Sequence, residues 1–304
     1  MPAGRSRVVV IVNPAAGPSW RRRAPDVVAG RVRRLLRQLG ADGDVRLTRA
    51  AGHATELARE AVEGGAGLLV AWGGDGTINE VAAELLHGPA SLGIVPVGSG
   101  NGLAREIGAP ANHRRALATA VLGTDRTIDA GSLNGRVFFN AAGLGFDAHV
   151  ADVFARSAAK TRGFLSYAAV VARELFGYRP GAYEITVEGQ PVCTCRALLI
   201  SIANTRQWGS GARIAPAALM DDERLDLVKI PAVPPVVLLA HAWRLFAGSI
   251  PGWSAVKTQR IRAATIRCDP PAPAHVDGEP LGLAGTVTIR VIPAALRVRV
   301  PRRR

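Results

Sequence analysis

Apolar residues in the first third of the chain form short solid runs separated by stretches of helical period. Arg7 to Val12, Asp44 to Thr48, Leu68 to Trp72 and Leu92 to Val95 are too short for helices. They read as strands, and the unbroken runs among them as strands buried on both faces. Between them, Val27, Val28, Val32, Leu35, Leu36 and Leu39 recur at helical spacing. Gly52-His53-Ala54 opens a second helix through Glu63. From Thr77 a third begins, with Ile78, Val81, Ala82 and Leu85 on one side and Glu80 and Glu84 on the other. Strand alternating with helix predicts an α/β fold, a doubly wound parallel sheet whose binding crevice lies at the carboxyl ends of the strands.

After about Thr124 the period shortens. Thr127 to Asn134, Arg136 to Ala141, Ala182 to Glu188, Cys195 to Ala203, Leu225 to Ile230, Arg260 to Cys268, Thr286 to Val291 and Leu296 to Val300 are strand-length segments separated by Gly, Pro or Asn turns. They predict a β-rich sandwich or two-layer domain, interrupted by helices at Asp147 to Ser157, Phe164 to Phe176 and Pro235 to Ala247. The domains are drawn as residues 1–125 and 126–304. Gly143 to Ala148, GLGFDA, matches a relaxed dinucleotide fingerprint. It lies outside the strand–helix alternation and has no suitable acid downstream, so it reads as a turn.

Composition changes this picture in one respect. The net charge of +14 points to an anionic partner: nucleotide, anionic membrane surface or nucleic acid. The cations are nearly all Arg, with Lys only at 160, 229 and 257. Cys193, Cys195 and Cys268 have no metal-ligand spacing and fit a reducing, cytoplasmic setting. No apolar stretch approaches the length of a spanning helix, so any membrane contact is expected from the side.

The candidate chemistry sits on glycine turns. Gly73-Gly74-Asp75-Gly76-Thr77 follows a strand and feeds a helix, where open backbone N–H groups and the helix dipole suit phosphate oxygens. The blander reading is a strand-to-helix turn with Asp75 or Thr77 as cap. Pro96 to Gly102, PVGSGNG, is a second such turn at the same end of the sheet. Asp277-Gly278-Glu279 offers a carboxylate for proton transfer, and equally a hairpin turn. Asp221-Asp222-Glu223 reads as a solvated acidic turn and does not define a metal site by itself. His53 is expected to cap or pack at its helix start, and His275 to be structural. Trp208 and Trp253 lie in Gly-rich loops, where an indole rests at a lipid interface or packs inside.

GGDGT followed by Asn79-Glu80 resembles the nucleotide-binding motif of diacylglycerol kinases, sphingosine kinases and YegS-like bacterial lipid kinases. Its core also resembles that of NAD kinases and 6-phosphofructokinases. The lipid-kinase resemblance continues along the chain. It includes Asn13 to Gly17 (NPAAG), Thr48 with Gly52 to Ala58, Pro96 to Arg105 (PVGSGNGLAR), Ile128-Asp129, Phe139-Asn140, Gly143 to Asp147, Ile214 to Asp226 and Val276 to Pro280. NAD kinases and phosphofructokinases share the first motif but not the later series.

This resemblance implies an ATP-dependent lipid kinase that moves the γ-phosphate to a lipid hydroxyl, diacylglycerol first, giving phosphatidic acid. A sphingoid base, phosphatidylglycerol or a soluble NAD-kinase-like reaction are the alternatives. It implies nucleotide contacts at Asn13, Thr48, Gly73, Gly74, Asp75, Gly76, Thr77, Asn79, Glu80, Gly98, Ser99 and Asn101. Glu279 would be the general base, with Asp75 and Asp277 in the catalytic set. An auxiliary Mg²⁺ would sit on Asp222 and the carbonyls of Leu219 and Arg224, although Glu223 stands where the family has Gly. The tail, about 295–304, is expected to return to the first domain. The expected setting is cytoplasmic, on the inner face of an anionic membrane, with no nucleic-acid partner, and a homodimer is compatible with it. Phe164, Leu165, Phe176, Leu239, Trp243 and Phe246 are expected to form an apolar cleft.

Overall fold

The computed structural model describes residues 7–16, 24–98, 100–156, 164–209 and 211–302, with 164–168 as backbone only. Gly17, Ser99, Arg21, Arg22, Arg23, Arg303, Arg304 and the side chains of Phe164 and Leu165 therefore lie outside the described residues. By its internal contacts the chain divides into two compact units. One is Met1–Ile128 with Ala294–Arg304, and the other is Asp129–Pro293.

The first unit runs β1 (Val8–Val12), α1 (Pro25–Gln38), β2 (Gly43–Leu47), α2 (His53–Glu63), β3 (Leu68–Gly73), α3 (Asp75–Ala83), β4 (Ser91–Pro96), α4 (Gly102–Glu106) and α5 (His113–Leu122). Parallel pairing gives the strand order β4-β3-β1-β2. Every residue of β1, β3 and β4 is buried, which is why these segments carry no polar alternation. Val28, Val32, Leu35 and Leu36 of α1 and Leu117 and Ala120 of α5 cover one face, around Val10, Val70 and Trp72. The sheet gains a further parallel neighbour from the chain's end, where Arg297 pairs with Ser91 and Val298 with Leu92.

The second unit takes up β5 (Thr124–Leu133) from Asp129 onward. It continues with β6 (Arg136–Phe138), β7 (Ala141–Gly145), α6 (Phe146–Arg156), α7 (Phe164–Gly177), β8 (Gly181–Val187), β9 (Cys193–Ala203) and β10 (Leu225–Pro231). Next come α8 (Pro235–His241), α9 (Trp243–Ala247), β11 (Lys257–Ile261), β12 (Ala263–Val276) and β13 (Glu279–Val300). Its pairings among β7 to β12 and with the first part of β13 are antiparallel. Alternate residues of β8, β9 and β12 point into a core of Tyr183, Ile185, Ile200, Ile202, Ile266 and Val287.

Four expectations change. Gly143 to Ala148 is no turn: it is the end of β7 and the first turn of α6, with Gly145 at φ +100°. The two predicted C-terminal strands are one, because β13 absorbs Pro293 and Ala294, the latter at φ +48°, without ending. Pro235 to Ala247 forms two short helices broken at Ala242, neither containing a buried residue. Phe176, Leu239, Trp243 and Phe246 are exposed and do not line a closed apolar cleft.

Candidate functional site

In the first unit, the register aligns the strand ends at one rim. Val12 pairs with Leu47 and Trp72, and Gly73 with Pro96, so Asn13, Thr48, Gly73 to Thr77, Val97, Gly98, Gly100 and Asn101 emerge together. Crossovers leave β1 toward β2 on one side and lead to β3 on the other, which opens a crevice between β1 and β3. Asn13 spans it: its Nδ2 donates to Thr77 Oγ1 at 3.1 Å, and its Oδ1 accepts from the Ala15 N–H at 2.9 Å. Thr48 is buried, its N–H donating to the Val12 carbonyl at 2.9 Å.

The two glycine turns touch. A Cβ on Gly73 would come within 2.6 Å of the Thr77 side chain, and one on Gly98 within 3.0 Å of the Gly74 Cα. Glycine is required here for close approach, since neither residue has a positive φ.

The carboxylates of α3 serve its neighbours. Asp75 accepts from the N–H groups of Asn101 at 2.8 Å and Gly102 at 2.9 Å, so it caps α4. Glu80 accepts from Gly52 at 3.1 Å and Ala54 at 3.0 Å, so it caps α2. Both receiving helices begin after a residue in the left-handed region, Asn101 at φ +50° and Gly52 at φ +82°, with no cap of their own. At α3 itself, Gly74 precedes the helix and no side chain caps it. Among the described residues, the first-turn N–H groups of α3 therefore have neither an intrahelical partner nor a side-chain cap. Asn79 is half-buried on α3. Asn101 Nδ2 donates to the Gly98 carbonyl at 2.6 Å, while its Oδ1 is buried with no partner among the described residues.

These capping roles were missed in the sequence, which offered Asp75 as a cap for its own helix and, through the resemblance, as a nucleotide contact and catalytic residue. A signal existed: two helices start without a Ser, Thr or Asp before them, while a nearby turn holds acids without an obvious task.

In the second unit, Asp277 and Gly278 form a two-residue hairpin turn with φ of +47° and +85°, and Val276 pairs with Glu279 across it. The Asp277 carboxylate accepts from three N–H groups, Phe139 at 2.8 Å and Asn140 and Ala141 at 2.9 Å. It ties the turn to the segment before β7. Glu279 opens β13 and is exposed. His275 is buried: its Nδ1 accepts from Gly278 N–H at 3.2 Å, so the proton on Nε2 points to Asp147 Oδ2 at 3.2 Å. A Cβ on Gly143 would collide with that pair, which explains the glycine that resembled a fingerprint.

The Leu219–Asp222–Arg224 set does not fit a divalent cation. One Asp222 oxygen accepts from Arg224 N–H at 3.1 Å, and the other is held by the Arg260 guanidinium. Glu223 has φ +58°, donates its N–H to Asp129 at 2.7 Å, and pairs with Arg262 at 2.7 Å. No group of three His, Cys, Asp or Glu among the described residues could hold a metal. Two residues along, Asp226 is buried, and burial pushes its carboxyl up to about 6. Trp208 and Trp253 pack against the α6–β9 core, with Trp208 Nε1 donating to Ser201 Oγ at 2.9 Å.

Residues 7–133 match the family described as the diacylglycerol kinase catalytic domain. Residues 140–300 match the YegS C-terminal NAD kinase beta sandwich-like domain. A putative diacylglycerol kinase from Bacillus anthracis shares the fold at TM-score 0.82 and 21% identity, covering 99% of this chain and 97% of its own. An NAD kinase from Archaeoglobus fulgidus in complex with ATP aligns at TM-score 0.52 and 16% identity, over 96% and 93% of the two chains. Fold and domain pair define a kinase, a phosphotransferase with an alcohol group as acceptor.

A probable lipid kinase YegS-like protein of Pseudomonas fluorescens is 34% identical over 268 residues, 87% of this chain and 88% of the relative. One from Pectobacterium atrosepticum is 32% identical over 285 residues, 89% and 91% respectively. The chain belongs to the YegS-like lipid kinase family.

Proposed function

We propose that this lipid kinase transfers the γ-phosphate of MgATP to the free hydroxyl of diacylglycerol, giving phosphatidic acid and ADP. The observation that carries the nucleotide assignment is the open N-terminus of α3, whose own carboxylates, Asp75 and Glu80, are committed to capping α4 and α2. Phosphate oxygens are the natural acceptors for N–H groups left in that way. Gly73 to Thr77 hold the phosphates. Asn13, Thr48, Asn79, Gly98, Ser99 and Asn101 complete the nucleotide's surroundings, and the unpartnered Asn101 Oδ1 takes a donor from it.

Mg²⁺ arrives with ATP as part of the substrate, where it spreads charge over the phosphates. Asp222, held by the Arg260 guanidinium, takes no part in holding it. Glu279 takes the hydroxyl proton as the lipid oxygen bonds to the γ-phosphorus and the bond to the ADP oxygen breaks. Its exposure supports this, since a general base must reach its substrate. Asp277 is a positioning residue, which holds the turn that presents Glu279.

The test is transfer of labelled phosphate to a panel of lipids in mixed micelles. Diacylglycerol is expected to be the preferred acceptor, with a sphingoid base and phosphatidylglycerol well behind. Preference for either of those, or transfer to NAD in place of lipid, would overturn the assignment.

A further inference from the structure

The outward face of α8 and α9 is apolar from end to end. Val236, Leu239, Ala240, Trp243, Phe246 and Ala247 are the exposed residues of the two helices, spaced as one stripe through the break at Ala242. The four large ones are 64%, 44%, 57% and 47% exposed, for Val236, Leu239, Trp243 and Phe246. The opposite stripe is anchored. Leu238 and Leu245 pack against the core built on Phe146, Val150 and Ile250, and His241 stacks on Trp253 at 4.2 Å between ring centroids. Scattered exposed apolar residues are ordinary on soluble proteins, but a continuous stripe without a single charge is a surface built to be covered.

Charge decides what covers it. No Asp or Glu occurs between Asp226 and Asp269, the stretch that contains both helices. Of its cations, Arg260, Arg262 and Arg267 pair with Asp222, Glu223 and Glu184, and Arg244 is the one on the helices themselves. Arg244 lies against the exposed indole, its guanidinium carbon 5.1 Å from the Trp243 ring centroid. An apolar stripe with no acid near it in the chain, carrying an exposed Trp with a guanidinium against its ring, matches the boundary of an anionic bilayer, where indoles and aliphatic side chains sink to headgroup depth and guanidinium groups meet phosphate.

We infer that α8 and α9 lie in the plane of an anionic lipid bilayer, with Leu239, Trp243 and Phe246 inserted at headgroup depth. The choice of a bilayer as occupant rests on the lipid-kinase reading, but the surface is defined by α8 and α9 alone. Docking there would bring the enzyme to a substrate that stays in the membrane.

The experiment needs no ATP and no turnover, so it stands apart from the substrate assignment. Wild type, Leu239→Asp/Phe246→Asp and Trp243→Phe are spun with phosphatidylglycerol/phosphatidylcholine vesicles and with phosphatidylcholine vesicles alone. Wild type is expected to pellet with the anionic vesicles, and the double variant to partition at least roughly 10-fold less. Because the substituted side chains are exposed, its melting curve should match wild type. Brominated acyl chains should quench wild-type fluorescence more than that of Trp243→Phe. Equal pelleting of wild type and the folded double variant would overturn the inference, as would equal quenching. So would a wild-type dimer that the double variant dissolves while neither form binds vesicles, since the stripe would then meet a second copy of this chain.

Discussion

Replacing Asp75 by Asn separates the two tasks that this residue could have. The carboxylate accepts N–H bonds from Asn101 and Gly102 at 2.8 and 2.9 Å. Asn keeps one acceptor and turns an NH₂ toward the other N–H, so one charge-assisted bond, ~1.5–3 kcal/mol, is lost and the second becomes neutral. The negative charge at the start of α4 goes too, ~0.3 kcal/mol for so short a helix. Because the site is half-buried, the expected destabilisation is ~2 kcal/mol, or roughly 6 °C in Tm for a unit of this size. Two units need not unfold together, so denaturant melts should be joined by amide exchange. Protection at Asn101 and Gly102 should fall selectively, and ATP affinity should fall with it as the second glycine turn loosens. An Asp75→Asn protein with wild-type stability and intact protection at both amides, yet no kinase activity, would refute the capping account and leave Asp75 a purely chemical role.

Glu279→Gln should lower kcat by ~10²–10⁴ without moving Tm, since the side chain is exposed; near-normal turnover would remove Glu279 as the base. Asp226 makes stability depend on pH in a defined direction. With its folded value raised to about 6, the native state keeps a proton that the unfolded chain releases above pH ~4, so stability falls as pH rises from 4 to 6. Asp226→Asn should therefore gain ~1–2 kcal/mol at pH 7.5 and little at pH 3.5, and a pH-independent difference in Tm would contradict this. Mg²⁺ without nucleotide should leave Tm within ~1 °C, because Arg260 already holds Asp222, whereas MgATP should raise it. A rise with Mg²⁺ alone that Asp222→Asn abolishes would show that the cation displaces the guanidinium.

The local chemistry of the site was legible because it is local. Strand length, glycine turn and helical period from Leu68 to Leu85 follow from steric and solvation rules acting over a few residues. The hairpin at Asp277-Gly278 was legible for the same reason, as Asp-Gly favours the positive φ that both residues adopt. Gly143 misled because the same residue type serves turns and close contacts, and what it contacts, His275, comes from 132 positions later in the chain.

By itself, then, the sequence determined which segments are strands and helices and where bare backbone lets the two glycine turns approach each other. Tertiary structure decided which carboxylate caps which helix, since Asp75 reaches Asn101 across 26 residues and Glu80 reaches Gly52 across 28 only after β1, β3 and β4 are in register. It also decided that the apolar stripe of α8 and α9 points outward. Periodicity marks the apolar side of a helix, but whether other elements cover that side depends on packing between segments distant in the chain.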